Sequence, residues 1–292
     1  MLFKEAIDEF INYLTIEVQR SPYTIDAYKK DLKYLLRYLS KTNDSIVLLK
    51  DIDTSTLRKY LTYAKQEKSY SSRTMMRNIA TLKSFFNFAH LEGLLESNPA
   101  KRLKSPKIPE EIPRFLVPEE IERICASVDR DTPEGLRNYT MIITLYYAGL
   151  RVSEMVNLQL SDLHEYQDLS VRKGKGGKSR LVPIHRNLKQ NLQEYLEKRH
   201  STSSYLFPNK QGQPLTTQFV RKMVKKYAIK AGIEPNRVTP HVFRHSFATF
   251  LYKNGHVDLL RISKLLGHAN LRATTIYTHT TVDHLRDAIE KL

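Results

Sequence analysis

Cysteine is almost missing from this chain: Cys125 is the single one in 292 residues. One thiol excludes an internal disulfide framework and a cysteine-built metal cage, and it fits a reducing compartment. Long apolar runs are missing too, with none near the ~20 residues that span a bilayer. The opening Phe3-Lys4-Glu5-Ala6-Ile7-Asp8 is amphipathic and lacks the apolar centre of a signal peptide. The expectation is a cytoplasmic protein with no membrane partner. Internal repeats and low-complexity segments are not found. Acidic residues are the remaining shortage: 31 Asp and Glu stand against 47 Lys and Arg, a formal charge of +16. The excess is not confined to a tail, since residues 1–105 hold 18 basic and 12 acidic side chains and the remainder 29 and 19. Such a balance suits a polyanionic partner, or else a merely soluble basic protein.

The length suggests about two domains. Residues 1–103 read as a helical domain of four helices. Residues 2–18 put Phe3, Ile7, Phe10, Ile11 and Leu14 on one face and mostly acidic side chains on the other, so this helix should face away from a polyanion. Ser21-Pro22 caps and opens a second helix. Its core face is Ile25, Tyr28, Leu32, Leu35 and Leu39, while Lys30, Lys33 and Arg37 share another face. A third helix spans about 54–67. The fourth starts near Ser71, turns Met75, Ile79, Leu82, Phe86 and Ala89 inward, and stops at Gly93, with Arg73 and Arg77 one turn apart. Each basic stripe is either a solvated face or a row of phosphate contacts. Two stripes on one small domain of a basic chain favour contacts to a nucleic-acid backbone.

Residues 104–113 carry three prolines and read as an extended linker that would let two lobes close around a rod. Residues 114–292 read as a mixed second domain. Helices are expected at 118–127, 136–148, about 187–199, 216–231 and 240–253, and from Asp258 to Gly267. Strands at 166–172 and 180–184 flank Gly174-Lys175-Gly176-Gly177 and form a hairpin. The end of the chain, about 281–292, places Val282, Leu285, Ile289 and Leu292 at helical spacing. The fold class expected is mainly α with a small antiparallel β-sheet in the C-terminal domain.

Chemistry concentrates in the second domain. His241 and Arg244 share a helix face, and His245 lies one turn from His241. A zinc protease would need Glu directly after the first His, and Val242 stands there, so no metal is expected. Gly174-Lys-Gly-Gly-Lys-Ser179 invites a P-loop reading, but Arg172 occupies the first glycine position and a strand follows in place of a helix. A glycine-flanked Lys175 instead suits a reach towards a groove or a phosphate. Tyr277 lies nine residues after His268. Together with Arg151, Arg244 and the imidazoles it forms a set suited to breaking a phosphodiester without a metal. A Tyr with a pKa of ~10 is about one part in a thousand phenolate at neutral pH. Nearby guanidinium groups and a proton-accepting His raise that fraction. The charge gained by the equatorial phosphate oxygens matches bidentate Arg.

Gly149-Leu-Arg151-Val-Ser-Glu154, the Gly174-Lys175-Gly176 hairpin, His241-Val-Phe-Arg244-His245, Leu266-Gly267-His268 and Tyr277-Thr278-His279 occur in one order. In that order and spacing the chain resembles the tyrosine recombinases over essentially its whole length, their Xer branch most of all. The resemblance implies a two-domain DNA clamp: a four-helix core-binding domain and a tyrosine-recombinase catalytic domain. It implies Tyr277 as nucleophile, Arg151 and Arg244 as phosphate clamps, Lys175 as proton donor to the leaving 5′-oxygen, and His241 and His268 in proton handling. Glu154 is expected either to support Arg151 or to be an ordinary surface carboxylate. No cofactor is implied. The implied partners are double-stranded DNA with inverted half-sites, a homotetramer or a heterotetramer with a sister recombinase, and a DNA-translocase activator. Two alternatives stay open: a mobile-element integrase, and a type IB topoisomerase built on the same residue types.

Overall fold

Helical spacing of apolar residues accounts for most of the architecture. A computed structural model describes residues 1–42, 47–107, 114–173, 177–253 and 257–267. The chain divides into two units, Met1–Glu110 and Glu111–Leu292. Among the described residues it is mainly α-helical with one small antiparallel sheet, in agreement with the expected fold class.

The N-terminal unit contains α1 (Phe3–Ile16), α2 (Pro22–Thr42), α3 (Thr54–Gln66) and α4 (Ser72–Leu91). Short polar side chains fix where the helices begin. The Ser21, Asp53 and Ser71 oxygens accept from the backbone N–H groups of Thr24, Thr56 and Thr74 at 3.2, 2.7 and 3.2 Å. The apolar faces close on an aromatic centre in which Phe85 meets the edges of Phe3 and Phe10, each with ring centroids 5.4 Å apart. Gly93, with φ +72°, turns the chain away after α4.

The C-terminal unit contains α5 (Pro118–Ala126), α6 (Pro133–Ala148), α7 (Val152–Val156), β1 (Leu163–His164), β2 (Asp168–Lys173), β3 (Gly177–Pro183), α8 (Arg186–Glu197), α9 (Thr217–Lys230), α10 (Pro240–Lys253) and α11 (Leu259–Leu266). The middle of α6 is buried on nearly every side, and α8 and α10 pack against it. The sheet has the order β1-β2-β3 and is antiparallel throughout, with Leu169 opposite Val182 and Val171 opposite Arg180.

Two details differ from the sequence expectation. Tyr166 is not in a strand: Glu165 and Tyr166 have φ +47° and +57° and form the turn between β1 and β2. A two-residue β1 and a five-residue α7 are also too short for any periodicity to show. The Lys175 hairpin tip, linker residues 108–113, and everything from His268 onwards, including Tyr277 and the tail expected at 281–292, lie outside the described residues.

Candidate active site

The site begins where α6 stops. Gly149 adopts a left-handed conformation, φ +58°, and a Cβ there would lie 2.3 Å from the Phe247 ring. Any other residue would be both strained and obstructed. The turn delivers Arg151 in extended conformation to the start of α7. Glu154 then reaches back, as in the acidic half of a capping box: its Oε2 accepts from the Arg151 backbone N–H at 2.8 Å. Its Oε1 accepts from Arg151 Nη1 at 2.8 Å. The Arg-Val-Ser-Glu spacing therefore has a local cause, and Glu154 orients Arg151 rather than decorating the surface.

Arg244 arrives from the first turns of α10, a helix started by Pro240 with the Thr239 hydroxyl accepting from the Val242 N–H at 3.2 Å. It is 2 % exposed. Its Nη1 donates to the Gly149 carbonyl and its Nη2 to the Leu266 carbonyl, both at 2.7 Å. Arg151 Nη2 donates to the Gly267 carbonyl at 3.0 Å. A third guanidinium comes from β3: Arg180 Nε donates to the Leu265 carbonyl at 2.7 Å. The last carbonyls of a helix have no partner inside it, and the dipole makes that end negative. Here three arginines cap the end of α11, on the consecutive carbonyls of Leu265, Leu266 and Gly267.

The same three arginines surround Glu154. Arg180 binds it in two-pronged fashion, Nη1 to Oε1 at 3.0 Å and Nη2 to Oε2 at 2.8 Å, and Arg244 Nη1 lies 3.9 Å from Oε2. Burial alone would raise the Glu154 pKa. The Arg180 hydrogen bonds, the Arg151 N–H and the adjacent positive charges outweigh it and hold the carboxyl down at about 2. One carboxylate against three guanidinium groups leaves the cluster positive, which suits an anion. Arg151 is the member that reaches solvent, its side chain 39 % exposed against 3 % for Arg244 and 14 % for Arg180.

His241 lies one turn before Arg244 on α10, with its ring 4.4 Å from that of His245 and edge-on to it. Crowding by surrounding protein lowers its pKa, and the charges of Arg244 and Arg151 lower it further. The imidazole is thereby kept neutral at pH 7 and able to accept a proton. Among the described residues no cluster of His, Cys, Asp or Glu is placed to hold a metal ion.

Residues 114–284 match the model of the phage integrase family, and residues 7–93 match that of the phage integrase N-terminal SAM-like domain. The chain belongs to the phage integrase family. Its relatives in that family include the tyrosine recombinase XerD of Listeria monocytogenes, 35 % identical over 98 % of this chain and 98 % of the relative. The tyrosine recombinase XerA of Thermococcus kodakarensis is 39 % identical over 98 % of this chain and 95 % of the relative. Among solved structures, the XerH site-specific recombinase bound to palindromic difH substrate, a post-cleavage complex, superposes with a TM-score of 0.75. It is 28 % identical, and the match covers 91 % of this chain and 78 % of that one.

Of the residues singled out from the phage-integrase-like motifs, the structure brings Arg151, Glu154, His241 and Arg244 into one region. Lys175, His268 and Tyr277 fall outside the described residues. Arg180 carried no expected role, although its place on the strand after the glycine hairpin was visible.

In the N-terminal unit, Lys30, Lys33 and Arg37 lie exposed along α2, and Arg73 and Arg77 along α4. Lys30 and Arg77 have acidic partners. Lys30 Nζ is 2.7 Å from Asp26, and Arg77 Nη2 is 2.9 Å from Asp31. Asp31 is 1 % exposed and also accepts from the Thr81 hydroxyl at 2.9 Å. Arg77 thus joins α4 to α2 from a buried carboxylate while its side chain remains 44 % exposed.

Proposed function

We propose that this protein is a site-specific DNA recombinase of the Xer type that cuts and rejoins strands through Tyr277. The observation that carries the reading is the convergence of Arg151 and Arg244, from two separate helices, on the end of α11. From that end the chain runs straight into His268 and on to Tyr277. Full-length likeness to Xer recombinases favours this role over a type IB topoisomerase or a mobile-element integrase.

In this reading Tyr277 Oη attacks the scissile phosphorus, and the bond to the 5′-oxygen breaks. Arg151 and Arg244 hold the nonbridging oxygens as negative charge builds on them, and losing one such group typically costs ~100- to 1000-fold in rate. His241, kept neutral by its surroundings, and His268 handle the phenol proton, and Lys175 donates a proton to the departing 5′-oxygen. The product is a 3′-phosphotyrosine, which conserves the bond energy. The freed 5′-hydroxyl of another strand reverses the step, so rejoining needs neither ATP nor a metal. Two such exchanges pass through a Holliday junction and convert a chromosome or plasmid dimer into monomers.

The exposed stripes on α2 and α4 track the DNA backbone. Four protomers, identical or shared with a sister recombinase, act on two duplexes with inverted half-sites in the cytoplasm, and a DNA translocase is the kind of activator that fits. The tail supplies the link between protomers: its stripe of Val282, Leu285, Ile289 and Leu292 suits the apolar groove of about 380 Å³ lined by Tyr146, Tyr147, Ile184, Phe247, Phe250 and Leu251. The test is a supercoiled plasmid carrying one or two copies of a site enriched from random DNA on the protein itself. Resolution only of the two-site plasmid supports the recombinase. Relaxation of both plasmids and of a site-free control contradicts it.

A further inference from the structure

Arg180 lies beside Arg151 and Arg244 at the end of α11 and spends its nitrogens on the protein itself. Nε, Nη1 and Nη2 all have partners within the protein: the Leu265 carbonyl and both oxygens of Glu154, at 2.7 to 3.0 Å. Its side chain is 14 % exposed. What it does is join three pieces of backbone. It sits on β3, five residues beyond Lys175 in the chain. It grips Glu154 on α7, which in turn sets both the backbone and the side chain of Arg151. It also holds the last turn of α11, directly ahead of His268.

The surroundings are shaped to this side chain. Gly267 has φ +67°, and a Cβ there would lie 2.9 Å from Arg180 Nη1 and 3.2 Å from its Cδ and Cζ. The turn at Gly267 is thus left open on the side where Arg180 lies. A lysine would carry the same charge, but its single nitrogen cannot span Glu154 and the Leu265 carbonyl in one plane.

We propose that Arg180 is a positioning residue for strand cleavage: one guanidinium sets the Arg151–Glu154 pair and the end of α11, next to His268 in the sequence, together. The proposal rests on the reading of the site as a strand-cleavage centre. It places the effect on the chemical step and not on DNA affinity. Displacing reacting groups by about 1 Å typically costs on the order of 100-fold in rate.

The experiment compares wild type, Arg180→Lys, Arg180→Gln and Tyr277→Phe on a nicked duplex enriched from random DNA on the wild-type protein. Half-site affinity is read by gel shift. Single-turnover formation of the covalent adduct is read at saturating protein, well below each variant's unfolding midpoint. The expected result is affinity within about twofold of wild type and cleavage slowed on the order of 100-fold in both Arg180 variants, Lys included. Cleavage at the wild-type rate overturns the proposal, as does a loss that only follows the unfolded fraction or falls in step with affinity. If wild type itself forms no adduct, the reading of the site fails and the proposal with it. An equal adduct from wild type and Arg180→Lys overturns the proposal alone.

Discussion

Replacing Glu154 with Gln removes the carboxylate that three guanidinium groups share while keeping its shape. Glu154 is 9 % exposed and receives hydrogen bonds from Arg151 and Arg180 at 2.8 to 3.0 Å. With the carboxylate gone, Arg180 and Arg244 stay buried against an amide that cannot answer their charge. Removing one partner of a buried ion pair costs about 3–5 kcal/mol. The amide oxygen can still cap α7, so the lower end, about 3 kcal/mol, is expected at pH 6. Protonation gives an independent figure. The folded carboxyl is held at about 2, whereas an unfolded Glu titrates near ~4.3. Because the folded value is the lower one, the stabilisation is complete above the unfolded pKa and is lost as pH falls towards the folded one. A difference of about two pH units again corresponds to roughly 3 kcal/mol. The assay is urea unfolding followed by circular dichroism, with amide exchange in α7, β3 and α11 identifying the transition that moves. With m near ~2 kcal/mol/M, the midpoint should fall by about 1.5 M at pH 6. The gap between parent and variant should shrink to roughly half by pH 3. A gap below about 1 kcal/mol at pH 6, or one that stays constant down to pH 3, would refute the shared-carboxylate argument.

Other perturbations follow from the same geometry. Gly149→Ala meets both a left-handed backbone and the Phe247 ring, and should destabilise the C-terminal unit by about 2 kcal/mol or more in the same unfolding assay. Arg77→Ala should cost both DNA affinity and about 1–2 kcal/mol of N-terminal-unit stability, because it strips a partner from buried Asp31. Lys33→Ala should cost affinity alone and flatten the salt dependence of binding by about one phosphate contact; equal stability losses in the two variants would contradict the assignment. Truncation after His279 should leave a single protomer bound to a half-site but weaken paired occupancy in a gel-shift titration; unchanged cooperativity would count against docking of the tail on a neighbour.

The helices were legible because their signals are local. Ser21, Asp53, Ser71 and Asp258 cap where their side chains suggest, and Gly93, Gly149 and Gly267 turn the chain where helices stop. The sheet was half legible: β2 and β3 have length enough to alternate, while β1 depends on a turn with positive φ at Glu165 and Tyr166, residues with no special turn chemistry. At the site, Arg151, Glu154 and Arg244 stand in motifs and could be found from the chain. Arg180 could not, because its role comes from a meeting of β3, α7 and α11 that no spacing in the sequence encodes. The pairing of Arg77 with Asp31 is the same kind of fact: it turns one member of a basic stripe into a strut between helices.

In the proposed reaction DNA is cut by Tyr277 with its phosphate held by Arg151 and Arg244. Its most direct test is a denaturing gel of end-labelled nicked duplex incubated with the protein, followed by peptide mapping of any protein–DNA adduct. The expected result is a 3′-linked adduct on Tyr277, none with Tyr277→Phe despite retained DNA binding, and a loss on the order of 100- to 1000-fold with Arg244→Ala. An adduct on another residue, or one that persists in Tyr277→Phe, would contradict it.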